Sequence, residues 1–172
     1  MFISPDESRA ISVHASQGEI VKLKRLVGDL AAREGVSTAD VLGEARDDFQ
    51  QTAAHMAAKA GQVRSIEALA EIIDDPARAA AFFNLANRFT GDRPVHTAMR
   101  AGYLDVLRAL VRHGADPTVK NRFGDVVGDY LSGDFEEEGE VTAVVDAFVV
   151  ARGEGGNTKK AGVDAGAGAD DA

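Results

Sequence analysis

Residues 91–117 read GDRPVHTAMRAGYLDVLRALVRHGADP, and two helices back to back account for most of them. Pro94 suits the first turn of a helix, where its missing N–H breaks no bond. Gly102 can take the positive φ that turns the chain out of that helix. Beyond it Leu104, Leu107 and Leu110 recur three apart, which sets them on one face of a second helix. Gly114 closes the second helix in the same way.

The register recurs upstream. HMAAKAG at 55–61 matches HTAMRAG at 96–102, and SVHASQG at 12–18 fits the frame with Ser12 in the histidine position. Two residues after each glycine stand Ile20, Val63 and Leu104; five after, Leu23, Ile66 and Leu107; eight after, Leu26, Leu69 and Leu110. Each such side chain contributes about 1.5–3 kcal/mol when fully buried. One helix pair cannot cover its own stripe, so the copies must stack. Downstream, NRFTGDRPVH at 87–96 is echoed by NRFGDVVGD at 121–129, with Gly91 and Gly124 33 residues apart and His96 and Asp129 at the same offset. A period of that size marks a solenoid array.

With its Pro94-Val95-His96 opening, small Ala98, mid-repeat Gly102 and closing Gly114-Ala115-Asp116, the stretch 91–117 resembles the ankyrin-repeat family. The resemblance covers about residues 5–150. It implies an all-α helical-repeat solenoid with short or irregular β-hairpin loops, and repeats near 5–33, 47–73, 88–120 and 121–151. In the family the opening histidine bonds locally and braces adjacent repeats, so the resemblance makes His55 and His96 structural.

The departures from the period are informative. Ser12 to His55 is 43 residues and His55 to His96 is 41, which places insertions near 34–46 and 74–87. In the first, Ser37 or Thr38 is expected to cap a short helix with Asp40 near its start. In the second, Asp75 and Pro76 read as N-cap and first helical position of a helix over 76–86 whose Phe82, Phe83 and Leu85 seek a core. Gln50 and Ala53 stand where the family has glycine and proline, so an irregular turn is expected there. Ser4-Pro5-Asp6-Glu7 is a capping box opening a helix over 5–17, with a partner over 20–32. DFEEEGE at 134–140 reads as a solvated loop, Val141, Val144, Val145 and Phe148 as the stripe of a last helix, and 153–172 as a disordered Gly/Ala-rich tail.

Composition removes several classes of function. The chain has 172 residues, a formal charge of -9 and no cysteine. No disulfide scaffold, zinc ribbon or thiol nucleophile is available. The N-terminus lacks the basic flank and apolar run of a secretory signal. No stretch approaches the ~20 apolar residues of a membrane span. An acidic balance disfavours nucleic acid, whose phosphates need lysine and arginine. His55 and His96 lie one repeat apart, too far for shared metal coordination, and GEGGNTKK at 153–160 fails the phosphate-loop spacing. No metal and no cofactor are expected. The charge is uneven, with seven bases against three acids from Arg88 to Arg122.

What remains is a surface. The resemblance implies non-catalytic protein binding, as an adaptor or scaffold, on the concave side formed by first helices and hairpin tips. The positions that match are Val13, Ser16, Met56, Lys59, Thr97 and Arg100 on the helices, and Phe49, Gln51, Phe89, Arg93, Phe123 and Asp125 on the hairpins. The basic residues favour an acidic protein partner. A monomer or a subunit of a hetero-complex in the cytoplasm is expected, with the nucleus as the alternative location. A structural subunit of a larger assembly is the competing reading, and an enzyme would need a deep pocket with convergent titratable groups.

Overall fold

In the computed structural model the chain is described over residues 1–130 and 135–151. Nine α-helices and one 3-10 turn occur among these: α1 (Pro5–Gln17), α2 (Ile20–Glu34), α3 (Thr38–Glu44), α4 (Ala53–Lys59), α5 (Val63–Ile73), α6 (Pro76–Phe83), α7 (Pro94–Arg100), α8 (Leu104–Arg112), the turn Val127–Tyr130, and α9 (Phe135–Ala151). The expected tail at 153–172 and the side chain of Phe148 lie outside the described residues.

The helix boundaries follow local chemistry. At α1, Ser4 Oγ accepts from the Glu7 N–H at 3.2 Å and Glu7 returns the bond to the Ser4 N–H at 2.8 Å. Ser37 and Asp40 form the same box at α3. Asp75 accepts from the Arg78 N–H at 2.8 Å, with Pro76 next in line. α6 stops at Phe83, short of residue 86, because Asn84 turns its side chain to other work: Nδ2 donates to the Ala80 and Gly114 carbonyls, and Oδ1 accepts from the Asp116 N–H. The segment 135–140 belongs to α9, so the expected acidic loop is helical. Glu140 there receives Arg108 of α8 at 2.6 Å.

The helices assemble in layers. α1, α4 and α7 stack side by side and end on the 3-10 turn, while α2, α5, α8 and α9 form a second stack behind them. The stripe read from the sequence is the interior: Leu23, Ile66, Leu69, Leu107 and Leu110 are fully buried, with Leu26, Val63 and Leu104 packed at its edge. Ala54, Ala57, Ala58 and Ala98 are also fully buried, and their small side chains let the first helices approach closely. The inserted helices make a third layer, α3 on α2 and α5, and α6 on α5 and α3. Phe82 and Phe83 fill that interface. The contact is tight at Gly114, which has φ 88° and where a Cβ would stand 2.6 Å from Ala80 of α6.

The turn at residue 50 forms, and the expected irregularity is confined to one backbone angle. Gln50 sits at φ 58°, where the equivalent glycines 91 and 124 sit at 73° and 90°. Replacing Gln50 by glycine is expected to stabilise the fold by about 0.5–1 kcal/mol by removing the left-handed strain on a residue with a Cβ. Gly114→Ala meets both a positive φ and Ala80, so a loss of more than about 1 kcal/mol is expected. Urea denaturation followed by circular dichroism measures both.

Candidate protein-interaction site

Three turns project from the first-helix side, and one local device builds them. Asp47 Oδ1 accepts from the N–H groups of Phe49 and Gln51 at 2.9 and 2.8 Å. Asn87 Oδ1 accepts from Phe89 and Thr90 at 2.7 and 3.2 Å, and Asn121 Oδ1 from Phe123 and Asp125 at 2.9 and 3.0 Å. An Asn or Asp that bonds its own backbone two residues on fixes a turn locally. Each turn is then closed across its neck, Asp47 to Gln51, Asn87 to Asp92 and Asn121 to Asp125. The two NRF copies therefore have a third relative, Asp47-Asp48-Phe49. An Asx–X–Phe search finds it, whereas a search keyed on the following glycine does not.

The turns are pinned to each other by two histidines. Thr52 donates to His55 Nδ1 through its N–H at 3.2 Å and its hydroxyl at 2.8 Å. Nε2 therefore carries the proton and donates to the Asp92 carbonyl of the next turn at 2.9 Å. His96 repeats the arrangement, accepting from the Arg93 N–H at 3.1 Å and donating to the Val119 carbonyl at 3.0 Å. Ser12, in the equivalent position of the first copy, has a buried hydroxyl with no partner. There Arg9 of α1 reaches Asp48 in the first turn at 3.1 Å.

Between the first and second turns and helices α4 and α7 lies an open groove of about 480 Å³. Gln51, Lys59, Thr90, Thr97 and Arg100 line its walls, with His55 and Asp92 at the base. Burial opposes ionisation of Asp92, but hydrogen bonds from Asn121, Arg100 and Thr90 outweigh it and hold the carboxyl below its usual range. Arg100 bonds Asp92 at 2.6 Å and lies 4.9 Å over the ring of Tyr130 in the 3-10 turn. Asn121 Nδ2 joins Asp92 at 2.8 Å to the Tyr130 hydroxyl at 2.9 Å.

The family profile described as ankyrin repeats, three copies, matches residues 10–121. The chain belongs to the ankyrin-repeat family. The protein is 32% identical to the NF-kappa-B inhibitor cactus of Drosophila yakuba over 42% of this chain, and spans 19% of that relative's length. Its fold is similar to a chain in the crystal structure of the yeast ribosomal protein Rps3 in complex with its chaperone Yar1, with a TM-score of 0.65 at 23% identity over 92% of this chain and 100% of that one. Ankyrin repeats are protein-interaction modules, and the stacked helix pairs follow that fold. Among the described residues, no helix is long and apolar enough to cross a membrane.

The residues expected at the surface divide into groups. Phe49, Phe89 and Phe123 stand at the turn tips and are 70%, 63% and 73% exposed. Lys59, Thr97 and Arg100 meet in the groove. Met56 is half-buried on α4, and Val13 and Ser16 lie apart on α1, with Ser16 bonded to the Val13 carbonyl. Arg93 is half-buried, and its guanidinium reaches Asn84 beyond α6 at 3.1 Å, which commits it to the inserted layer. Asp125 accepts from Tyr130 at 3.2 Å. Asp92, Asn121 and Tyr130 carried no expectation, because only stacking of the repeats makes them neighbours.

Burial pushes His55 down to about 4 and also lowers His96. Both are neutral when folded, while the unfolded chain protonates them near the ordinary 6.5. Their contribution is therefore complete above pH 6.5 and is lost as pH falls toward the folded values, with a slope for His55 that approaches about 1.4 kcal/mol per pH unit. His55→Gln is expected to be less stable at pH 7 but to have a shallower slope of unfolding free energy between pH 6.5 and 5, measured by urea titrations at successive pH values.

Proposed function

We propose that this ankyrin-repeat protein is a non-catalytic adaptor or scaffold that binds a protein partner across the groove and the turns beside it. The observation that supports this is the composition of the groove. It is open, it crosses two repeats, and it offers Lys59, Thr97 and Gln51 to a ligand while its titratable base is already committed. His55 uses both ring nitrogens and Asp92 is held by Asn121 and Arg100, so neither is placed as a general base. A formal charge of -9 favours protein over nucleic acid as the partner. Cactus and Yar1 are themselves named for action on another protein, as an inhibitor and a chaperone.

The test is affinity capture with the full chain beside Lys59→Glu/Thr97→Arg, followed by quantitative mass spectrometry. Both positions are open to the groove, so the variant should keep the parental melting temperature. A partner retained by the parent and depleted ~10-fold or more in the variant is the expected result. Equal recovery on both would remove the groove from the function.

A further inference from the structure

The turn tips carry a second surface feature, distinct from the groove. Single exposed apolar side chains are ordinary, but Phe49, Phe89 and Phe123 are equivalent residues of three successive turns, each about two-thirds or more exposed. Their order is enforced by hydrogen bonds between turns. Asn87 Nδ2 donates to the Phe49 carbonyl at 2.9 Å, Arg122 Nη1 to the Phe89 carbonyl at 3.0 Å, and the Arg122 N–H to the Thr90 carbonyl at 3.0 Å. Thr90 is the extra residue of the second turn, so the lengthened loop supplies an acceptor in this ladder.

The charges around the rings differ in how far the fold engages them. Asp48 is paired with Arg9 and Asp92 with Arg100, while Asp47 and Asp125 keep their charge and are turned inward by hydrogen bonds, Asp47 from the Phe49 and Gln51 N–H groups and Asp125 from Tyr130 and Asn121. Arg88 and Arg122 are paired with no carboxylate among the described residues, and each immediately precedes one of the phenylalanines. Arg46, between the first two turns, spends Nη1 on the Gln50 and Ala86 carbonyls and leaves Nε buried without a partner. Its burial and then the like charge of Arg88 disfavour its protonated form, against smaller favourable contributions from Glu44 and Asp47. An anion arriving beside Phe89 or Phe123 would meet Arg88 and Arg122, neither of which is in an ion pair among the described residues.

Spacing limits what can bind. Stacked helices lie about 8–10 Å apart, so successive tips repeat at about that distance. An extended chain advances about 3.1–3.3 Å per residue, and in the polyproline II form every third side chain returns to one face. A bound helix calls for a groove, whereas the tips form a crest one ring wide.

We infer that the phenylalanine crest docks an extended protein segment with apolar side chains at every third position and carboxylates that meet Arg88 and Arg122. This rests on the protein-binding reading above and names the chemistry of the partner. The test is selection of random displayed peptides on the immobilised full chain, then fluorescence anisotropy of the enriched peptides against variants. Expected are acidic peptides with apolar residues three apart, bound less tightly as salt rises. Phe49→Ala/Phe89→Ala/Phe123→Ala and Arg88→Glu should each raise Kd at least ~10-fold with the melting temperature unchanged. Enriched peptides that are basic, or whose apolar residues are seven apart, overturn the inference. If Lys59→Glu/Thr97→Arg abolishes binding while the crest variants do not, the crest is excluded and the groove stands. No enrichment, or binding that neither set of variants weakens, counts against both.

Discussion

The hydrogen bond from His55 Nε2 to the Asp92 carbonyl is the contact on which the rest of this molecule depends. It is made by a fully buried neutral ring whose other nitrogen is satisfied by Thr52, so it joins one repeat to the next without leaving a polar group unpaired. His96 extends the same link to Val119. A helix pair alone has no opposite surface for its leucines, and the stack exists only if neighbours meet in fixed register. The histidines set that register, and the turns, the groove and the crest inherit it. The first junction lacks such a bond, and Ser12 keeps an unpaired hydroxyl there.

The insertions bear on the same stack from behind. α3 and α6 do not interrupt the repeats, because each leaves and rejoins at a helix end and packs outward on α2 and α5. Asn84 ties α6 to the loop after α8, and the closeness of Ala80 leaves no room for a side chain at Gly114. Phe82 and Phe83 find their core between layers, outside the repeats themselves. Arg93 is drawn into this layer by Asn84, so a cation that belongs by position to the first-helix face is spent on internal structure.

The face made by the first helices and the turns is consequently divided. Its buried Asp92 and Asn121 and its half-buried Tyr130 answer one another and stiffen the groove base. Its exposed groups, the three phenylalanines and the arginines beside them, have been left for something else. The distinction between the two sets is made by hydrogen-bond satisfaction rather than by residue type.

The sequence by itself determined the helix pairs and the capped starts of the short helices α3 and α6. Those properties reside in local signals: capping at Ser4, Ser37 and Asp75, glycines that end helices, and apolar residues three apart. It also placed Phe49, Phe89 and Phe123 at turns, though only two of the three turns showed their kinship, since the first substitutes Asp for Asn and Gln50 for glycine. The tertiary structure alone decided which charges are already paired. Arg93 and Asn84 are nine residues apart and His55 and Asp92 are 37 apart, and no periodicity relates such partners. It alone decided that Gln50 holds a positive φ, because neck closure outweighs that residue's local preference, whereas helix over 135–140 agrees with the propensity of its glutamates. Local spacing specifies which faces are apolar, whereas the polar partners of a solenoid are chosen by the neighbouring repeat.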